Sequence, residues 1–341
     1  MLDKLKKFFI GLILAALALS SCTRAVPSQN SSLDSGNNKP KKSWFGASLF
    51  KAKTTPTPPG DYVMTINVEG ETVEAAKTRT YTLHVPSSYS GSDPVGLMVL
   101  LPDDGMTANK FLKMTGFLNY SDPNGYVVVL PDALGENPSW NTGLTGGSGA
   151  NDLLFLQTLV TQIQQTFNID PKKIFASGFG TGGIMAYQIG STMATDFAAV
   201  GVVGGAVGYR AEKGAEPVMI QPATGPLSVI FIHGMKDKVI GYGSDKPKEK
   251  DAAGYISFGD AESYWIKANA CTGPIQVKIT RNENVQRHQW EECNGGTMVE
   301  SISIWAGVHA WYLGGTPKTS KAPDVPATET IFAFFLDNMK K

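Results

Sequence analysis

The residues with the clearest chemical signature are a turn at 178–183, which reads GFGTGG, and two polar side chains much further along the chain. The turn lies between an apolar run typical of a buried strand and an apolar helix. In such a setting a Gly-x-Ser-x-Gly turn presents a nucleophilic serine. Asp237 follows a later buried strand, and His309 follows the last strand. A nucleophile, an acid and a base in this chain order perform acyl transfer, because the base takes the nucleophile's proton and the acid orients the base.

The middle position of the turn is a glycine, so the attacking oxygen is missing. Gly180 stands where the serine would act, whereas Asp237 and His309 are a carboxylate and an imidazole that could serve as acid and base. Thr181 carries the nearest hydroxyl, but we expect it to point away along the start of the helix and to be a poor substitute. The alternatives for Asp237 and His309 are an ordinary turn residue and an exposed loop histidine.

Strands and helices alternate around these residues. Continuous apolar runs, typical of strands buried on both faces of a parallel sheet, occur at 96–101, 125–131 and 228–234. Residues 151–167 have apolar side chains at helical spacing, and Asn151 and Asp152 are placed to cap the start of that helix. This alternation predicts an α/β fold with a mostly parallel, doubly wound sheet and helices on both faces, opened by two antiparallel strands.

From about Arg79 to its end, the chain resembles the α/β-hydrolases, and more narrowly the secreted polyhydroxybutyrate depolymerases and feruloyl or acetylxylan esterases. The resemblance is carried by RTYTLHVPSSY, GYVVVLPDA, NDLLFLQTLV, GTGGIMAYQIG, FIHGMKDKVIGY and GVHAWYLGG. It implies the α/β-hydrolase fold and a serine-dependent carboxylic ester hydrolase that uses neither a cofactor nor a metal. It also implies that Asp237 is the acid, that His309 is the base, and that Gly180 occupies the nucleophile position.

A second part of the esterase machinery also departs from the family. Members of the family carry a His-Gly-rich turn after the third strand, and its backbone N–H groups help to stabilise the oxyanion. Here the chain reads LLPDDGM at 100–106. Pro102 has no N–H, and Asp103 and Asp104 bring negative charge to a place that requires positive potential. Two independent changes therefore predict that ordinary serine-esterase activity is lost.

Aromatic side chains occur on the loops expected around the site. With the polar residues nearby, the candidates for ligand contacts are Asp103, Asp104, Trp140, Thr181, Tyr242 and Trp311. Aromatic faces at the rim of a cleft suit sugar rings or aryl groups. At least half of the four loop aromatic residues, which include Tyr312, are expected to pack beneath the loops instead.

The amino-terminal region predicts export and a lipid anchor. A basic start precedes an apolar stretch too short to span a bilayer, and this stretch ends in LSSC, which resembles a bacterial lipoprotein processing site. We predict a signal peptide at 1–21, a lipidated Cys22 with a flexible tether over 22–60, and one domain over 61–341. The predicted location is the cell envelope, on the periplasmic side of the outer membrane or at the cell surface. The alternative is an ordinary signal peptide with a chance cysteine.

The cysteine content and the net charge bear on disulfide bonding, metal binding and nucleic-acid binding. If Cys22 is lipidated, Cys271 and Cys293 remain as a pair in an oxidising compartment, which suggests a disulfide. Two free thiols are the weaker alternative, and neither cysteine has metal ligands at a suitable spacing. The net charge is zero, so composition gives no support to nucleic-acid binding.

Three functions remain open on the sequence. The first is a lipid-anchored, catalytically degenerate envelope protein that binds a glycan, an acylated polymer or a protein. The second is an active carboxylic ester hydrolase with altered chemistry, in which His309 and Asp237 activate water or in which Asp103 or Asp104 attacks. The third is a purely structural envelope protein. The missing nucleophile favours the first over the second and does not separate the first from the third.

Overall fold

A computed structural model describes residues 57–145, 147–243, 253–279, 284–313 and 325–340. The predicted signal peptide, Cys22 and most of the predicted tether lie outside these residues. Within the described ranges, no helix has both the length and the apolar character needed to cross a bilayer.

The elements follow the alternation expected from the sequence. The strands are β1 (Gly60–Asn67), β2 (Thr78–Val85), β3 (Val95–Leu101), β4 (Tyr126–Pro131), β5 (Ile169–Phe179), β6 (Ala199–Val203), β7 (Gly208–Arg210), β8 (Val218–Met219), β9 (Ser228–Gly234), β10 (Gly254–Tyr255), β11 (Gln276–Ile279), β12 (Val285–Trp290) and β13 (Val299–Ile304). The α-helices are α1 (Ala108–Thr115), α2 (Leu118–Ser121), α3 (Asp152–Thr166), α4 (Gly180–Thr192), α5 (Phe258–Ala268) and α6 (Ala327–Asp337).

A ten-stranded mixed sheet forms the centre of the fold, in the order β1-β2-β4-β3-β5-β6-β9-β13-β12-β11. The strands from β4 to β13 in this order are parallel, while β1 and β2 at one edge and β12 and β11 at the other pair antiparallel. The predicted mostly parallel sheet with two antiparallel opening strands is confirmed. The β11–β12 pair and a separate three-stranded sheet, β10-β7-β8, were not predicted, because these strands are short or carry many polar side chains.

Apolar side chains cover both faces of the large sheet. In β3, Leu97, Val99 and Leu101 belong to one buried cluster, which includes side chains of α3, α4 and α5. Met98 and Leu100 belong to a second cluster, which includes side chains of α1 and α6. Successive side chains of a strand point to opposite faces, so helices on both sides bury the whole strand. This arrangement confirms the doubly wound fold.

The start of α3 agrees only in part with the prediction. Asn151 caps the helix, because its side-chain oxygen accepts the N–H of Leu154 at 3.0 Å. Asp152 is instead 1% exposed and lies 2.5 Å from the guanidinium of Arg79. It also accepts the N–H of Asn141 at 2.7 Å. Asp152 therefore links β2 and the loop before α3 rather than capping the helix.

Cys271 and Cys293 form a disulfide, as the cysteine count suggested. The bond joins the chain after α5 to the turn after β12 and closes a loop with a sequence separation of 22 residues. A loop of this length loses conformational entropy in the unfolded chain when it is cross-linked.

Replacing both cysteines with alanine is expected to lower the free energy of unfolding by about 3 kcal/mol. The comparison is made by urea denaturation of the wild-type chain and the Cys271→Ala, Cys293→Ala double variant under non-reducing conditions. Reductant should destabilise the wild type to a similar degree and leave the double variant unchanged. Equal stability of the two chains without reductant would contradict a stabilising role for the disulfide.

Candidate functional site

The turn at 178–183 joins β5 to α4 at the carboxyl edge of the sheet. Gly180 is the first residue of the helix and has a φ of 56°, a left-handed conformation that favours glycine. A Cβ atom at Gly178 would overlap the backbone of Gly182, and one at Gly182 would overlap the carbonyl of Leu101. The glycines therefore allow β5, α4 and the end of β3 to approach closely.

The carboxylate of Asp103 fills the space beside Gly180. Asp103 lies in the loop after β3, and a Cβ atom built on Gly180 would overlap its carboxyl group. Asp103 Oδ1 accepts the backbone N–H of Thr181 at 2.9 Å, and the Thr181 hydroxyl lies 3.3 Å from the same oxygen. A carboxylate thus occupies the region into which a side chain at position 180 would extend.

His309 lies between two carboxylates. Its Nδ1 is 2.7 Å from Asp237 Oδ2, and its Nε2 is 3.0 Å from Asp103 Oδ2. The imidazole stacks on the ring of Phe179, with the ring centroids 4.6 Å apart. The structure therefore brings together the acid, the base and the aspartate of the loop after β3, which come from three distant parts of the chain.

The two carboxylates determine the charge of the histidine. Burial lowers the pKa of His309, but hydrogen bonds and charge from Asp103 and Asp237 outweigh this effect and raise the pKa to about 9. At neutral pH the ring is an imidazolium that donates from both nitrogens. An imidazolium has no free lone pair, so it cannot take a proton from a nucleophile or from water.

Asp237 is held in the loop after β9 by hydrogen bonds to both of its oxygens. Its Oδ1 accepts the N–H groups of Val239 and Ile240 at 2.8 and 3.0 Å, and its Oδ2 contacts His309. Burial acts to raise the pKa of Asp237, but hydrogen bonds from His233 and His309 hold it well below its usual range. The sequence analysis missed His233, whose Nε2 is 3.3 Å from Asp237 Oδ2; its place near the end of β9, four residues before the acid, is the available signal.

Asp104 belongs to the same cluster but has different partners. It accepts the Thr181 hydroxyl at 2.6 Å and the N–H of Trp140 at 3.4 Å. The hydroxyl of Thr181 therefore faces the two aspartates, and the prediction that it points away along the helix is wrong. Burial raises the pKa of Tyr255, a side chain of the small sheet, and the charges of Asp104 and Asp103 add to this effect.

Two of the aromatic candidates lie in the core. Trp140 and Trp311 are 2% and 5% exposed. The indole N–H of Trp140 donates to the carbonyl of Pro102 at 2.8 Å, and that of Trp311 donates to the hydroxyl of Thr328 at 2.9 Å. Tyr312 is also buried, so the expectation that at least half of the loop aromatic residues pack inside is confirmed. Trp140 and Trp311 do not form a cleft rim, because their rings and N–H groups find partners within the protein.

Tyr242 is partly buried near the acid loop. Its hydroxyl is 2.7 Å from the Ser303 hydroxyl, and its ring stacks on Phe258 with a centroid distance of 4.8 Å. It also meets His233 edge to face. In the part of the chain that the structure describes, no three His, Cys, Asp or Glu side chains are grouped so that they could hold a metal ion.

The order of the strands and the helices on both faces of the sheet give the chain the α/β-hydrolase fold. The acetyl xylan esterase from Aspergillus awamori matches with a TM-score of 0.52 and 13% identity, over 80% of this chain and 98% of that chain. The S-formylglutathione hydrolase from Agrobacterium tumefaciens matches with a TM-score of 0.52 and 12% identity, over 82% and 95%. At such identities the likeness concerns the fold alone.

Curated relatives narrow the class to an esterase-like protein. The chain is 22% identical over 237 residues to a bifunctional acetylxylan esterase/xylanase of Neocallimastix patriciarum, covering 70% of this chain and 32% of the relative. It is 24% identical over 237 residues to feruloyl esterase B of Piromyces equi, covering 68% and 42%. The matched region is thus less than half the length of either relative. No protein-family model matches the chain. The chain is a distant homologue of the feruloyl and acetylxylan esterases.

Proposed function

We propose that this chain is an esterase-like domain that no longer hydrolyses esters and acts by binding. The observation that supports this most directly is the placement of Asp103 beside Gly180, with its carboxylate between the Thr181 N–H and His309 Nε2. In a serine esterase of this fold, the nucleophile lies at the elbow and the N–H of the next residue stabilises the oxyanion. A side-chain carboxylate occupies both places in this protein.

Each component needed for acyl transfer is in a state that opposes the reaction. Gly180 offers no attacking atom, and the N–H of Thr181 is already engaged by Asp103. The raised pKa of His309, about 9, keeps the base protonated at neutral pH. Hydrolysis through water activated by His309 and Asp237 is therefore disfavoured, because a protonated histidine cannot remove a proton from water.

Asp103 is also a poor candidate for the nucleophile of an ester hydrolase. Attack by its carboxylate on an ester carbonyl would form an anhydride and release an alkoxide. In the tetrahedral intermediate that precedes the anhydride, the carboxylate leaves more readily than the alkoxide. The tetrahedral intermediate would therefore collapse back to the ester. The contacts with His309 and Thr181 further reduce the electron density available at its two oxygens.

The relatives suggest the class of ligand, because they are named as an acetylxylan esterase/xylanase and a feruloyl esterase. We therefore propose a glycan, an acylated polymer or a related ester as the ligand of this domain. A purely structural role in the envelope is the second candidate. The observation in its favour is the burial of Trp140 and Trp311, which leaves these rings unavailable for stacking on a sugar.

We also propose that the chain is an exported lipoprotein, with a signal peptide at 1–21 and a lipidated Cys22 followed by a tether to residue 60. The disulfide supports an oxidising compartment outside the cytoplasm. Replacing Cys22 with serine is expected to release the protein from membranes in cell fractionation. Continued membrane retention of that variant would count against the anchor.

The test of the proposed function is an assay of purified wild type on p-nitrophenyl acetate, beside His309→Ala. We expect equal turnover by the two chains, at the level of the uncatalysed reaction, because neither has a nucleophile and a free base. Turnover by the wild type that disappears in His309→Ala would defeat the proposal and support an active hydrolase.

A further inference from the structure

We propose that the donors of Thr181 and His309 form a carboxylate-binding site, which the protein's own Asp103 occupies and which accepts an organic acid when Asp103 leaves. The carboxylate site is defined here as the backbone N–H of Thr181 together with Nε2 of His309, since the Thr181 hydroxyl donates to Asp104 at 2.6 Å. The inference rests on the proposed function, in which the domain binds rather than hydrolyses, and goes beyond the glycan, polymer or ester ligand named there: this site recognises a free carboxylic acid rather than an ester.

The geometry of the occupant shows how an acid is recognised. Asp103 Oδ1 lies 2.9 Å from the N–H and 3.3 Å from the hydroxyl of Thr181, and Oδ2 lies 3.0 Å from His309 Nε2. Both oxygens are therefore bound from different sides, as in bidentate recognition of a carboxylate. The Thr181 N–H belongs to the first turn of the 13-residue helix α4, where the helix dipole also favours negative charge.

Charge distinguishes an acid from an ester at this site. His309 is enclosed by Asp237 on one side and Asp103 on the other, and its side chain is 12% exposed. If Asp103 leaves and a neutral ester takes its place, Nε2 loses an ionised partner in a sheltered position. A carboxylate restores that partner, because a charge-assisted hydrogen bond is stronger than one to a neutral carbonyl.

Asp103 can leave without dismantling the loop that carries it. Its side chain is 16% exposed, so solvent already reaches part of it. Asp104, the next residue, holds the loop separately through the Thr181 hydroxyl and the N–H of Trp140. The N–H of Gly105 donates to the carbonyl of Pro138 at 2.7 Å, which is a further anchor. The carboxylate of Asp103 is thus a movable group on a fixed loop.

A tethered carboxylate competes strongly with a free one. A group held on the same chain acts at an effective concentration in the millimolar range or above. A small acid such as acetate therefore binds the wild type weakly, and an acid with further apolar contacts binds better. Val308 precedes His309 in the chain and is 45% exposed, and it is the apolar surface that an aryl or alkyl acid would contact.

The experiment is calorimetric titration of benzoate into the full-length chain carrying Cys22→Ser, with and without Asp103→Ala. We expect Asp103→Ala to bind benzoate at least about tenfold more tightly than the parent, because the internal competitor is gone. Glu74→Ala is the matched control and should bind like the parent, since it removes an exposed carboxylate that pairs with Lys77 and has no part in the site. Adding His309→Ala to Asp103→Ala should reduce the affinity at least about tenfold.

Acetate and methyl benzoate separate charge from apolar contact. Acetate should bind Asp103→Ala more weakly than benzoate does, and methyl benzoate, which lacks the charge, should bind no variant measurably.

Circular dichroism checks folding, and Asp103→Asn replaces Asp103→Ala if the alanine variant does not fold. Equal benzoate affinity in the parent and the folded Asp103 variant, or equal affinity for benzoate and methyl benzoate, would overturn the inference. Hydrolysis of aryl esters by the wild type would overturn the proposed function and leave the binding result to stand by itself.

Discussion

Gly180→Ser by itself is expected to give no gain in esterase activity, whereas Gly180→Ser together with Asp103→Ala is expected to raise hydrolysis of p-nitrophenyl acetate at least about 100-fold above wild type. The single change fails because a Cβ atom at position 180 would overlap the Asp103 carboxylate. The double change removes this overlap, frees the Thr181 N–H and leaves His309 with one carboxylate, Asp237, as its partner.

The measurement is the initial rate at pH 8 for wild type, both single variants and the double variant. Asp103→Ala alone should remain inactive, because it supplies no attacking atom. Adding His309→Ala to the double variant is the control and should return the rate to background. If Gly180→Ser were as active as the double variant, the position assigned to Asp103 would be wrong. A folded double variant without activity would show that Pro102 and Asp104 still prevent oxyanion stabilisation.

Asp103→Ala is also expected to shift the titration of His309. In the wild type, burial lowers the pKa of His309 while Asp103 and Asp237 raise it, to about 9 as the net result. Removing Asp103 takes away one of the two stabilising carboxylates, so the pKa should fall toward the ordinary value of histidine, about 6.5. Nuclear magnetic resonance can follow the four histidines of the chain individually. Asp104→Ala should leave the His309 titration close to that of the wild type, and a full-sized shift in this control would contradict the pairing.

The same pairing predicts how stability depends on pH. The pKa of His309 is about 9 in the folded chain and about 6.5 in an unfolded one. Protonated His309 therefore contributes its full amount to the free energy of unfolding below about pH 6.5, and this contribution is lost as the pH rises through about 9. The contribution is on the order of 3 kcal/mol. Urea denaturation at pH 6 and pH 9.5 should show the wild type losing this advantage over His309→Gln. A difference between the two chains that does not change with pH would contradict the prediction.

The sequence by itself determined the layered α/β architecture and the chain order of the site residues. Apolar runs such as 96–101 and 228–234 are buried strands because their side chains on both faces need a covering layer, which is a local property of the pattern. The glycines of 178–183 likewise indicate a tight turn, because a side chain there would overlap neighbouring atoms and Gly180 has a left-handed φ. Asp237 and His309 follow strands whose ends meet at one edge of the sheet.

Only the tertiary structure decided what occupies the site. The contacts of Asp103 with Thr181 and His309 join residues 78 and 206 positions apart in the chain, so no local pattern encodes them. Packing of the loop after β3 against α4 directs the carboxylate of Asp103 to His309 and that of Asp104 to Trp140 and Thr181, although the two aspartates are neighbours. Long-range packing also buried Trp140, because the partner of its N–H lies in that same loop. The sequence shows that a nucleophile is missing, whereas the three-dimensional contacts show that a carboxylate has taken its place.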